Sequence, residues 1–329
     1  MTIDWIGEPG APHTAVIDGL PDAGAAARWL RAHRGELRAA LDRHGALHLR
    51  GLPVRDVADF TRVRDALFAE RAAYQEKATP RSDFGDDVFS STDLPPAQAI
   101  RMHNENSYTL TFPGLLLFGC LVAPEEGGAT PVADVRRVLA HLPAELVERY
   151  RRHGWRLTRS YGEHLSLGWR TTFGTDSRAE VERYCADHAI EAAWGEDGVL
   201  RTSQLRSATI HHPRTGEELW FNHLAFWNEW SLDPAIRDVM VDELGPDGLP
   251  FNTALGDGTP LTPEETAVLN EAYERATVRR RWQPGDLLLV DNLLAAHGRD
   301  PFRGDRRIVV AMGEAVALAD CAPTLPVTG

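Results

Sequence analysis

Three short, unbroken apolar runs most restrict what this chain can become: "GLLLFGCLVAP" (114–124), "PGDLLLVDN" (284–292) and "RRIVVAMGEA" (306–315). Each is too short for a buried helix, is rich in branched aliphatics and is bounded by Gly, Pro, Asp or Asn, which marks strands of a sheet core. None approaches the length of a membrane span. "WRLTRSY" (155–161) alternates at period two, as a half-buried strand does. From "IRMHNE" onward most signals are of this kind, so the expectation is a mainly β protein with flanking helices, an α+β chain.

Helices are expected where the period changes to 3.6. "AGAAARWLRAHRGELRAALDRHG" (23–45) has helical spacing and ends on Gly45, residues 55–72 form a second amphipathic stretch, "VRRVLAHLPAELVERYRRHG" (135–154) a third and "SRAEVERYCADHAI" (177–190) a fourth. Between residues 76 and 98 the chain is polar and rich in Pro and Gly. Such a length of loop is a lid or a binding loop, with disorder as the alternative. At 329 residues, with no repeat, low-complexity tract or clean linker, the chain reads as one domain over 1–329, with an N-terminal helix and strand part (1–75), the candidate lid (76–98) and a core (99–315).

Composition excludes several function classes. With 35 basic against 48 acidic residues the net charge of −13 repels nucleic-acid backbones and anionic membranes. Cys120, Cys185 and Cys321 are isolated and odd in number, which argues against a disulfide framework or a zinc knuckle and for a reduced, cytoplasmic setting. There is no phosphate-cradling loop and no G-x-S-x-G elbow.

Chemistry enters at "RMHNENSYTL" (101–110). On a strand, His103 and Glu105 share a face while Asn104 points away. Alone this pair is weak evidence, since a polar strand face explains it as well. Far downstream, "WQPGDLLLVDNLLAAHGRDPF" delivers His297 just after a buried strand. Two imidazoles and one carboxylate on one face make a facial triad that holds Fe(II) and leaves coordination positions open. "GDRRIVVAM" then reads as the returning strand. An arginine leading into a core strand needs an anion, which Arg307 is placed to meet, unless Arg306 and Arg307 merely cap an exposed strand end.

With "HNE", "GGAT", "PGDLLLVDNLLAAHG" and "DRRIVVAM" in this order, the chain resembles the Fe(II)/2-oxoglutarate-dependent TauD/TfdA-like dioxygenases over roughly residues 100–315. The resemblance implies a double-stranded β-helix (jelly-roll, cupin-like) core, and iron on His103, Glu105 and His297. It implies 2-oxoglutarate chelated through its keto-acid end, with its far carboxylate on Arg307 assisted by Thr130, and O2 as oxidant. The family more often has Asp as the middle ligand, so Glu105 is a departure that resembles the clavaminate-synthase-like and SyrP-like branches. "SQLRSATIHHPRTGEELWFNH" (203–223) is also similar to the SyrP-like branch, whose members hydroxylate amino acids or related acyl groups in specialised, antibiotic-type biosynthesis.

The expected reaction is therefore hydroxylation of an unactivated C–H bond of an amino-acid-like small molecule, free or carrier-tethered, with 2-oxoglutarate decarboxylated to succinate and CO2. Desaturation or epoxidation by the same site and a non-enzymatic jelly-roll binding module are the alternatives; a halogenase would need the position that Glu105 fills vacant. Tyr108, Arg206, Asn222 and Arg299 are candidate substrate contacts, each equally readable as scaffold. His211 and His212 sit in a polar hairpin context rather than a second metal site, and Trp220, Phe221, His223, Phe226, Trp227 and Trp230 read first as core aromatics.

Overall fold

A computed structural model describes residues 4–6, 13–72, 76, 81–162, 167–195, 198–245 and 248–326. The three apolar runs lie side by side. Leu287–Asp291 pairs with Thr111–Val122, which pairs in turn with Arg307–Ala317, all antiparallel, at the centre of a seven-stranded sheet. Ala46–Arg50 and His13–Val16 extend the sheet on one side and Phe89–Ser90 closes the other.

The absence of alternation in these runs has a simple cause: both faces are covered. Leu115, Leu117, Leu287, Leu289, Val309 and Ala311 pack outward against the N-terminal helices. The residues between them, including Leu116, Phe118, Leu288, Val290, Ile308 and Val310, pack inward against Val132 and Ala295 of a second sheet. Gly119 lets the outer helix layer come close, because a Cβ there would lie 2.5 Å from the Phe60 ring. The second sheet runs Thr277–Val278, Val132–Asp134, Ala295–Arg299, Ile100–His103. Two facing, mainly antiparallel sheets with a side-chain core between them are the expected jelly-roll arrangement, His13–Val16 alone running parallel to its neighbour Ala46–Arg50 among the described strands.

A third sheet, Glu191–Trp194, Leu200–Arg206, Trp155–Ser160 and Phe251–Leu255, is built from the long stretch between the two core strands that carry the histidines. The hairpin expected around His211 and His212 forms, with Thr209–His211 against Glu218–Trp220. His212 is buried against Asp291 at 3.2 Å and binds that carboxylate.

Several helix expectations need correction. The 23–45 stretch is two helices, Ala23–Ala32 and Arg34–His44, because the backbone at His33 leaves helical geometry. The 135–154 stretch is also two, Val135–His141 and Ala144–His153, broken at Leu142 ahead of Pro143, which disfavours helix at the residue before it. The second amphipathic stretch is helical only over Val57–Leu67. Helices Pro234–Leu244 and Pro263–Ala276 are additional to those expected, and Thr262 with Glu265 forms a capping box that marks the start of the latter. Of the candidate lid, residues 77–80 lie outside the described residues. Its later part is tied down, through the Phe89–Ser90 pairing and through Arg299, which donates to the carbonyls of Leu94, Pro95 and Gln98.

Candidate metal and cosubstrate site

His297 and His103 face each other across neighbouring antiparallel strands of the second sheet. Gly298 permits this pairing, since a Cβ there would sit 2.6 Å from the Ile100 carbonyl oxygen. Glu105 is not on the strand, as expected from the i, i+2 argument, but in the turn just after it. Asn292 fixes that turn: its Oδ1 accepts from the Glu105 backbone N–H at 2.7 Å and its Nδ2 donates to the Glu105 and Pro113 carbonyls. Asn104 points away from the site and donates to the Asn292 carbonyl. Asn292→Ala would leave these buried backbone groups unpaired, so it is expected to cost about 1–3 kcal/mol in urea unfolding and to lower metal affinity by loosening Glu105. Unchanged stability would contradict that role.

The donor atoms converge. His103 Nε2 and His297 Nε2 lie 3.9 and 3.6 Å from Glu105 Oε2, and the three ligand atoms fall within 4.8 Å of one another. His103 Nδ1 is 2.9 Å from the Arg101 carbonyl, which only accepts, so Nδ1 carries the hydrogen and the Nε2 lone pair faces Glu105. Burial, with repulsion from His297, pushes the His103 imidazolium down to about 3. Burial opposes ionisation of Glu105, but Arg81 and the two histidines outweigh it and hold the carboxyl well below the usual carboxylate range. A neutral imidazole and an ionised carboxylate are the protonation states that bind a metal. This donor set therefore fits Fe(II).

Arg81, which sequence reasoning missed, donates to both oxygens of Glu105, at 3.1 and 2.9 Å. No local pattern marks it; only the fold brings it here.

On the other side of the cavity Arg307, the expected carboxylate partner, is not among the lining residues. Arg307 is exposed, with its guanidinium over the Phe84 ring. Strand alternation accounts for this: Ile308 and Val310 face inward and Val309 outward, so Arg306 has the inward parity and Arg307 the outward one. It is Arg306 that lines the cavity, donating to the Gly128 carbonyl, the Ser91 hydroxyl and the Thr130 hydroxyl. Burial, with repulsion from Arg299, pulls the Arg306 guanidinium down to about 10, and among the described residues no carboxylate pairs with it. Thr130 lines the cavity as expected. Its oxygen accepts from Trp282 and from Arg306, which leaves its own O–H to donate to a ligand.

The four candidate substrate contacts divide. Tyr108 and Arg299 line the cavity, although the Tyr108 hydroxyl donates to the Glu76 carbonyl and Arg299 holds the three loop carbonyls. Arg206 and Asn222 do not line it. Arg206 donates to the carbonyls of Tyr108, His188, Ala189 and Leu205, and Asn222 to that of Ala208, because each satisfies buried backbone oxygens. Three arginines, Arg81, Arg299 and Arg306, face this cavity with Glu105 as the acid among its lining residues, a cationic pocket in an acidic chain. His223, Phe226, Trp227 and Phe118 supply its apolar walls.

Comparison with known proteins agrees with this geometry. The profile of the family described as "Taurine catabolism dioxygenase TauD, TfdA family" matches residues 19–312. The dapdiamide synthesis protein DdaC of Enterobacter agglomerans is 35% identical over 303 residues, 92% of each chain. A clavaminate synthase-like protein of Arabidopsis thaliana is 28% identical over 297 residues, 86% of each. Among solved structures, PvcB of Pseudomonas aeruginosa superposes with a TM-score of 0.52 at 17% identity, over 96% of this chain and 90% of that one. PvcB is described as an Fe, alpha-ketoglutarate dependent oxygenase from an isonitrile synthetic pathway, and at this identity the likeness bears on the fold.

Proposed function

The chain belongs to the TauD/TfdA family of Fe(II)- and 2-oxoglutarate-dependent dioxygenases, and from that premise we propose that it hydroxylates an unactivated C–H bond of an amino acid, free or carrier-tethered, in specialised-metabolite biosynthesis. The observation that carries the reading is the convergence of His103, Glu105 and His297 at the end of a cationic pocket. The similarity to a dapdiamide synthesis protein supports the metabolic setting.

In this reading His103, Glu105 and His297 hold the iron, and Arg306 with Thr130 holds the far carboxylate of 2-oxoglutarate, whose keto-acid end reaches the metal. Iron, 2-oxoglutarate and O2 together supply the oxidising equivalent that a C–H bond requires. The protein does the rest. Glu105 occupies the position that a halide would need. Arg81 keeps that carboxylate ionised and oriented, and Phe118, Phe226 and Trp227 exclude water from the reacting carbon. No helix among the described residues is long and apolar enough to cross a membrane.

The test is incubation of the iron-loaded enzyme with 2-oxoglutarate, O2, chloride and a panel of free and carrier-loaded amino acids, read by mass spectrometry. The expected product has gained one oxygen atom. Loss of two hydrogens would replace hydroxylation by desaturation, and a chlorine isotope pattern would refute the role given to Glu105.

A further inference from the structure

Of the rings that wall the cavity, that of His223 also carries hydrogen-bonding nitrogens, and its two edges have different surroundings. The residue follows the strand Glu218–Trp220 and is 2% exposed. Its Nδ1 lies 2.6 Å from the hydroxyl of Ser107, a buried residue in the turn that follows Glu105. Its Nε2 has no partner among the described residues, yet it is not one of the orphaned nitrogens sealed in the core, because the ring borders the cavity.

The Ser107 hydroxyl decides what that unpartnered edge offers. Among the described residues the hydroxyl has no other acceptor, and a buried O–H left without one is rarer than an oxygen with an idle lone pair. Ser107 therefore donates to Nδ1. Burial, with repulsion from His103, holds the His223 imidazolium well below its usual range, so the ring is neutral and carries one hydrogen. With Nδ1 accepting, that hydrogen is on Nε2 and faces the cavity.

The aromatic walls place this donor on the side of the metal site away from the cosubstrate. In order the rings run Phe118, His297, His103, His223 and Trp227, with successive centroids 5.2, 4.4, 5.6 and 4.4 Å apart. Phe118 stands at the cosubstrate end: it packs in one cluster with Trp282, which donates to Thr130, and with Ile308, two residues on from Arg306. His223 stands beyond the metal ligands at the other end. We propose that the His223 Nε2–H donates to the acyl oxygen of the substrate, with Ser107 as the positioning residue that fixes this tautomer. An amino acid's ammonium has no lone pair to accept the hydrogen, so the oxygen shared by a free carboxylate and a carrier thioester is the group that this edge selects. The inference rests on the amino-acid reading above for the substrate class, and it deepens that reading by naming the contact that orients the acyl group against the metal.

Binding, rather than turnover, separates this inference from the reaction assignment. The full-length protein loaded with Mn(II) and 2-oxoglutarate is titrated calorimetrically with the common amino acids as free acids, as N-acetylcysteamine thioesters and as the amines that lack the acyl carbon. In the wild type at least one acid or thioester is expected to bind about ten-fold or more tightly than its amine, and which of the two binds identifies the free or the tethered form. His223→Asn keeps an amide beside Ser107 but reaches no further, so it should cut that preference by roughly five-fold or more while 2-oxoglutarate affinity stays within about two-fold. His223→Gln carries an N–H out to the position of Nε2 and should return the preference to within about three-fold of wild type, a rescue that a purely structural role for the ring would not give. Ser107→Ala should weaken acyl binding by roughly two- to five-fold in the presence of His223 but not in His223→Gln, which has no tautomer to fix. Acids and thioesters that bind no better than amines in the wild type, an unchanged preference in His223→Asn, or a loss that falls on 2-oxoglutarate instead, overturns the proposal. If the preference depends on His223 but no bound compound is oxidised once Fe(II) and O2 are supplied, the contact stands and the hydroxylation assignment falls.

Discussion

Alanine at His103 or His297 is expected to abolish 2-oxoglutarate decarboxylation and to lower Fe(II) affinity by more than about 100-fold, beyond the roughly 10–100-fold that loss of an outer partner of a metal ligand costs. Each substitution removes one of three convergent donors, from strands whose pairing rests on backbone hydrogen bonds rather than on these rings. The unfolding midpoint should therefore move little. Anaerobic metal titration and succinate release check the pair of outcomes, and full turnover in either variant would end the assignment of these residues.

Arg306→Lys is expected to weaken 2-oxoglutarate by about 1.5–3 kcal/mol, roughly 10–150-fold, because lysine keeps the charge but loses the planar fork. Arg307→Lys should change it by no more than about 0.5 kcal/mol, the usual effect of a surface substitution. The contrast follows from the cavity-facing guanidinium of Arg306, which rests on Thr130 and Gly128, and the exposed one of Arg307 over Phe84. The reverse ranking, read from the 2-oxoglutarate concentration dependence of turnover, would restore Arg307.

These two predictions differ in how far the chain itself announces them. His103, Glu105 and His297 are expected from the sequence through local pattern, a His and a Glu two apart and a histidine just beyond a buried run, although Glu105 stands in the turn after the strand rather than on it. The core sheet is visible for the same reason, since a strand covered on both faces must be apolar throughout. Side-chain period favours Arg306 over Arg307, since Arg306 shares the parity of the inward-facing Ile308 and Val310, but an apolar run covered on both faces does not show which parity is the inward one. Asn292 and Arg81 act through partners distant in sequence, so nothing beside them marks their roles. Arg206 and Asn222 show the converse. As polar residues in a suggestive segment they looked like substrate contacts, yet backbone carbonyls consume their donors. Amphipathic periodicity continues across His33 and Leu142 and so does not show the helix breaks there, whereas the capping box at Thr262 is a local signal for a helix start.

The central claim is that one metal and one 2-oxoglutarate share this pocket, between the histidine pair and Arg306. A crystal grown with Mn(II) and 2-oxoglutarate, with anomalous scattering to locate the metal, tests it most directly. The expected result is one anomalous peak bonded to His103 Nε2, Glu105 and His297 Nε2, with the far carboxylate of the bound acid on Arg306 and Thr130. A metal bound elsewhere, or a carboxylate reaching Arg307 instead, would contradict it.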